Sequence, residues 1–193
     1  AELVERSKIG RIPVRESVRR LVGLPRTIWS TALGHFGLGV TVLGIVAVTA
    51  WETEAVTTLN PGETVELSGY SIHFDSFEQV PGPNYAAEVG VFSVTAPGGG
   101  VSIAEAERRI YVASGTPTTE ASILTYGFSQ LYLQLGEPLT DTHVVRVWHK
   151  PYILLIWIGC LIMSGAGVLS LTDRRLRFGA PQGAKRKVLE AAE

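Results

Sequence analysis

The sequence predicts a membrane protein of mixed α and β structure, in which two transmembrane helices flank a small antiparallel β barrel or sandwich outside the cytoplasm. Three observations predict it. Ile28–Trp51 runs for 24 residues and Tyr152–Leu171 for twenty without a formal charge, and about 20 helical residues cross a bilayer's hydrocarbon layer. Between them, short runs of alternating apolar residues are broken by Gly, Pro and Asn, the pattern of antiparallel strands and turns. The charges are also segregated. Residues 1–27 hold seven Lys/Arg and residues 174–187 six, whereas residues 52–150 hold four against twelve Asp/Glu. Positive charge stays inside, so both termini are expected in the cytoplasm and the middle outside.

A chain of 193 residues has room for one soluble domain and a few membrane elements. With a formal net charge of −1 and no basic cluster on a folded face, no nucleic-acid partner is expected. The single cysteine, Cys160, allows no intrachain disulfide, and zinc-type spacings are absent. An outer domain of roughly 100 residues can supply its own core. The chain starts at Ala with no signal-peptide pattern ahead of Ile28, and reads as a fragment of something longer.

In chain order, residues 1–27 form a basic cytoplasmic segment. From Val14 the apolar positions Val14, Val18, Leu21 and Val22 recur at helical spacing among Arg15, Arg19 and Arg20. Membrane lipid with anionic headgroups is its expected partner, and Gly23 and Pro25 end it. The first span, 28–51, has Trp29 and Trp51 near its two interfaces. It holds four glycines, Gly34, Gly37, Gly39 and Gly44, which let a helix or a flat ligand approach closely.

Residues 52–149 form the β domain, with five to seven short strands expected. Val65 and Leu67 alternate, then Tyr70, Ile72 and Phe74 in the other parity, so a bulge is expected at Ser68-Gly69. Tyr85–Val94 reads as a strand, Val101 with Ile103 and Ile110 with Val112 as two short ones, Tyr126–Leu135 and Val144–Trp148 as the last. The second span occupies 150–172, with Gly159, Met163 and Gly167 expected to line one packing face. A polar cytoplasmic tail, 173–193, opens with Asp173-Arg174-Arg175.

Four histidines could carry chemistry. His73 should point to the polar side of its strand, His143 lies at a loop-to-strand junction and reads as exposed, and His149 suits the outer membrane interface as an amphipathic ring. His35 differs, because an imidazole left unpaired in lipid is costly and faces protein, water or a ligand. It shares a helix face with Gly39 and Val42. From spacing alone it is either a ligand or a hydrogen-bond donor to an adjacent helix. Catalysis within the chain is not expected. Lys150, at the membrane boundary, is the outer region's one lysine, so a Ser/Lys dyad fails. Ser68, His73 and Asp75 lack any favourable spacing. Glu105 and Glu107 beside Arg108-Arg109 read as solvated charge pairs.

Taken in order, these segments resemble the C-terminal part of the CcmF family, haem lyases of cytochrome c maturation. The matching stretches are Gly34-His35-Phe36-Gly37 with residues 40–44, Gly82-Pro83-Asn84-Tyr85, Glu107-Arg108-Arg109-Ile110-Tyr111 and Thr118-Thr119-Glu120-Ala121. They continue through residues 131–137, Val145-Arg146-Val147-Trp148-His149-Lys150-Pro151, Trp157 and Asp173-Arg174-Arg175. The resemblance implies a multi-span protein of the bacterial inner membrane with its β domain in the periplasm. It implies haem received from a periplasmic haem chaperone and attached by thioether bonds to apocytochrome c, together with other cytochrome c maturation subunits. It also implies a haem b held within the membrane by two histidines, one of which is His35 here, as axial ligand to the haem iron. A neutral imidazole suits iron, and a glycine-lined face admits a porphyrin. The family's Trp-rich segment, its outward-facing haem-binding histidines and its second transmembrane ligand lie upstream of this stretch. The chain is therefore expected to supply one haem ligand and a β domain, without catalysing alone. The alternative is a purely structural, partner-docking module with no haem contact.

Overall fold

The structure, a computed structural model, describes residues 13, 15, 16, 24–139 and 142–172. Val14, Val18, Leu21 and Val22 of the basic segment, and the whole tail 173–193, lie outside the described residues. Among the described residues, two apolar helices flank nine strands. The helices are α1 (Arg26–Trp51) and α2 (Leu154–Leu171), both long and apolar enough to cross a membrane. Between them run β1 (Thr53–Leu59), β2 (Thr64–Leu67), β3 (Tyr70–Pro81), β4 (Tyr85–Thr95) and β5 (Val101–Tyr111), then β6 (Pro117–Glu120), β7 (Ser122–Tyr126), β8 (Ser129–Leu139) and β9 (Thr142–Lys150). The chain divides into two compact units, residues 1–41 with 157–193, and Val42–Ile156.

In the first unit the helices run antiparallel, because small residues let their backbones meet. A Cβ on Gly37 would lie 2.8 Å from the carbonyl oxygen of Gly159, and one on Gly34 would lie 4.0 Å from the Ala166 Cβ. Arg26 Nη1 donates to the Thr172 carbonyl at 3.3 Å. Ser30 and Gly37, two turns apart, are buried on α1, as Gly159 and Ala166 are on α2, and the Ser30 hydroxyl donates to Thr27 O at 2.9 Å. Gly159 and Met163 line the packing face as expected, but Gly167 does not. It is exposed with nothing near it, and Ala166 takes the place. Steps of four and then three residues keep the stripe on one side of a 3.6-residue turn.

The second unit is a β sandwich. One sheet has the order β1-β9-β8-β7 and the other β2-β3-β4-β5-β6. Ile72, Phe74, Phe92, Leu131, Leu133, Leu135, Val145 and Val147 fill the space between them, each fully buried and each contributing about 1.5–3 kcal/mol by leaving water. Ser68-Gly69 is a two-residue hairpin turn between β2 and β3, not a bulge. Both residues have positive φ, 51° and 81°, the twist a type I′ turn requires. The bulge lies at Asp75, where the β3–β4 register shifts between Phe74 and Ser76.

Two further expectations change. Val101 and Ile103 do not belong to a separate short strand from Ile110. One strand, β5, spans them all, and its inward residues are Ala104 and Ala106, while Ile103 stays 58% exposed. Large side chains on the facing strands leave room for alanine alone at those positions. Tyr126–Leu135 is likewise two strands, split by a turn at Gly127-Phe128. Thr-rich β1 and β6 were not among the expected strands, which makes nine instead of five to seven.

Candidate functional site

His35 projects from α1 into open space, and its Nδ1 lies 2.8 Å from the Thr31 carbonyl oxygen one turn earlier. A carbonyl only accepts, so Nδ1–H donates to it, and in the neutral form of the ring Nε2 is the nitrogen that holds the lone pair. The ring is thus held in the tautomer an axial iron ligand needs, by the kind of second partner such ligands use. Helical geometry explains its direction. Two residues separate it from Gly37, about 200° around the helix, so the face that meets α2 and the face that bears His35 are opposite. Gly39 and Val42, expected on the His35 face, are both exposed.

Among the described residues no group of three or more His, Cys, Asp or Glu is placed to hold an ion. One exposed imidazole beside an uncrowded helix face could serve as a single ligand to haem iron, the other ligand coming from elsewhere. The Thr31 carbonyl had no signal of its own in the sequence beyond lying four residues before a helical histidine.

The other histidines play different parts. His73 is on the polar side of β3, as expected. Its Nδ1 pairs with Thr64 Oγ1 at 2.8 Å, and its Nε2 lies 3.9 Å from Asp75 Oδ1. Ser68 does not join them. Its hydroxyl pairs with Thr53 Oγ1 at 2.7 Å, while Ser93 donates to Asp75 at 2.7 Å. Among the described residues no serine hydroxyl pairs with His73, whose partners are Thr64 and Asp75. Strand alternation also separates the two arginines. Arg109 pairs with Glu107 at 2.7 Å on the outer face, but Arg108 points inward, 13% exposed, and pairs with Glu88 at 3.0 Å. The latter is not a solvated surface pair. A groove of about 390 Å³ beside it, lined by Gln79, Pro81, Glu88 and Ile110 among others, holds no acid except that paired Glu88.

His143 corrects an expectation. It is not exposed. Its ring stacks on Phe77 at 4.0 Å, meets Phe74 edge-on at 5.8 Å, and its Nδ1 is buried without a partner. The bulge at Asp75 turns Phe77 toward it. Burial pushes the His143 pKa below its usual value, Glu88 opposing in part, and burial does the same to His149, whose ring leans on Tyr70 at 5.4 Å. Protons therefore bind the unfolded chain more readily at these sites. Their stabilising effect is complete above the unfolded value of about 6.5 and is lost as pH falls from there through the lower folded values. Urea midpoints are expected to fall between pH 7.5 and 5.5, and to fall less in His143→Phe. An equal fall in both proteins would remove His143 from the effect.

A family model described as the CcmF C-terminal beta-sandwich matches residues 50–151. The chain is 49% identical over 188 residues to cytochrome c-type biogenesis protein CycK of Rhizobium meliloti (strain 1021), covering 96% of this chain and 28% of that relative. It is 34% identical over 150 residues to cytochrome c-type biogenesis protein CcmF of Escherichia coli (strain K12), covering 77% and 23%. A solved structure, cytochrome c heme lyase CcmF, shares the fold with a TM-score of 0.68 at 14% identity, over 89% of this chain and 28% of that one. The chain thus spans about 28% of the length of the first curated relatives it matches.

Proposed function

The chain belongs to the CcmF family, and on that premise we propose that it is the C-terminal part of a haem lyase subunit of the bacterial inner membrane. It supplies one axial ligand, His35, to a membrane-embedded haem b, and its sandwich lies in the periplasm. The observation that carries the reading is the His35 geometry: an outward ring, Nδ1 anchored on Thr31 O at 2.8 Å, and Nε2 free. Haem b bound there would supply one-electron redox chemistry, with any further iron ligand coming from outside the described residues.

What the residues here do follows from their placement. Thr31 holds the imidazole proton at Nδ1, and α2, packed behind Gly37, keeps α1 from turning His35 away. Two apolar helices with Trp51 and Tyr152 in contact, ring centroids 6.0 Å apart, suit the aromatic belt at the outer interface. The periplasmic haem chaperone, apocytochrome c and the other maturation subunits meet the subunit on that outer side.

The test is a reduced-minus-oxidised absorption spectrum of the full-length protein carrying His35→Ala. The b-type signal is expected to fall to background while the protein still purifies as a folded species. Unchanged haem occupancy would refute the assignment.

A further inference from the structure

The β sandwich keeps its aromatic rings buried or half-buried, with one exception. Among the described residues of 53–150, Phe128 is the one exposed aromatic side chain, at 53%. It stands in the Gly127-Phe128 turn between β7 and β8, where Tyr126 pairs with Ser129. Gly127 has a φ of 59°, and Phe128 has no positive φ, the arrangement of a type II′ turn with glycine first. Small polar residues are the usual choice at the second position, and nothing in the turn's backbone demands a ring. Phe128 therefore calls for a reason outside the sandwich.

Its place supplies one. The Phe128 carbonyl accepts a hydrogen bond at 3.3 Å from the nitrogen of Leu154, the first residue of α2. That N–H is one of those a helix start leaves without an internal partner. In the β8–β9 ladder Gln130 pairs with Lys150, and continuing that register puts Phe128 level with Tyr152. Tyr152 is itself 47% exposed, and its ring lies against that of Trp51, the last residue of α1. A hairpin tip and the adjoining ends of both apolar helices thus present open aromatic rings at one level.

The neighbouring chemistry names the occupant. Thr125, Tyr126, Ser129 and Gln130 carry no formal charge, and Gln130 Nε2 already donates to Thr125 Oγ1 at 3.1 Å. Lys150 is engaged with Glu52 at 3.3 Å. The turn offers an apolar ring within a neutral, satisfied rim, at the level where aromatic side chains favour the boundary between headgroups and hydrocarbon. We propose that the Gly127-Phe128 turn is a lipid-binding site, the ring inserted into the outer headgroup–acyl boundary and tying the sandwich to the bilayer surface. The inference rests on reading α1 and α2 as membrane spans and is independent of haem.

The experiment places a nitroxide spin label at Phe128→Cys in the full-length protein, its other thiols replaced by serine, in phosphatidylcholine vesicles. Collision with oxygen, which partitions into lipid, is compared with collision with a water-soluble nickel chelate. Labels at Val112→Cys, 82% exposed, and at Leu43→Cys in α1, 58% exposed, are the references for water and for the span. The label at 128 is expected to meet oxygen more often, and nickel several-fold less often, than the label at 112. Because the rim is neutral, the ratio should not change with added phosphatidylglycerol or salt. Nickel access equal to that at 112 would put the turn in water and overturn the proposal. Low access to both reagents would give Phe128 to another part of the longer protein and also overturn it, as would nickel shielding confined to anionic vesicles. Nickel access at Leu43 would defeat the membrane reading itself, which separates that failure from the others.

Discussion

In Gly159→Leu protein, α1 and α2 are expected to lose their close approach. A Cβ at position 159 would stand 2.6 Å from both the Gly37 carbonyl oxygen and the Thr41 nitrogen, and closer still to Thr41 Oγ1. Two of those atoms are helix backbone and cannot move aside as a flexible side chain would. Thr41 is no freer, because its hydroxyl donates to Gly37 O at 3.1 Å. Overpacking of this kind costs about 1–3 kcal/mol and occasionally more, and the backbone contact puts leucine at the upper end. The structure supplies a direct reporter. Cβ atoms at positions 34 and 166 would be 4.0 Å apart, within the range a disulfide spans. With Cys160→Ser to remove the native thiol, the pair Gly34→Cys and Ala166→Cys should oxidise readily. Adding Gly159→Leu should slow that oxidation about tenfold or more, and Gly159→Ala less. Equal rates in all three proteins would mean that the helices do not meet at Gly159.

How much of this was legible in the sequence depends on whether one residue or two strands decide the outcome. The helices were legible because long uncharged apolar runs have few other readings. The sandwich was legible as a class from alternation. Parity was harder. In β5 the larger side chains, Val101 and Ile103, look like the core residues, yet Ile103 pairs with Ser93 and Val101 with Thr95 on the outer face. The inward pair is Ala104 and Ala106, chosen by the volume that Phe92 and Leu133 leave. The parity change at Ser68-Gly69 has two physical solutions, a bulge or a two-residue turn, and only the pairing of Leu67 with Tyr70 selects the turn.

The same division holds for the histidines. His35 stood out because its surroundings are local, one helix and one face, and its hydrogen-bond partner is one turn earlier on that helix. His143 did not, because its burial depends on Phe77, which belongs to a different sheet and is aimed by the bulge at Asp75. Ligand identity is of a third kind. Spacing left His35 open between an iron ligand and a donor to a neighbouring helix, and the resemblance to CcmF inclined the reading to iron.

Phe92→Ala is expected to be the most destabilising substitution in the sandwich. Phe92 is fully buried, faces Phe74 across the β3–β4 pair, and stacks on it at 4.7 Å with 17° between the rings. Its ring lies over Gly90, where a Cβ would meet Phe92 Cε2 at 2.9 Å and Leu135 Cδ1 at 3.3 Å. The ring therefore sits in the core between its own sheet and the facing one, in one cluster with Leu135. Removing it leaves a cavity walled by hydrogen-bonded strands, which collapse poorly, so the loss should be about 3–5 kcal/mol, a large part of an ordinary domain's stability. Urea unfolding followed by near-UV circular dichroism measures it as a lower midpoint at constant slope. Ile103→Ala, at a residue 58% exposed, should change stability by only about 0.5 kcal/mol or less. The two substitutions together test the parity of β4 and β5. If Ile103→Ala proved as costly as Phe92→Ala, Ile103 would be a core residue, and the inward faces of Ala104 and Ala106 would have to be reversed.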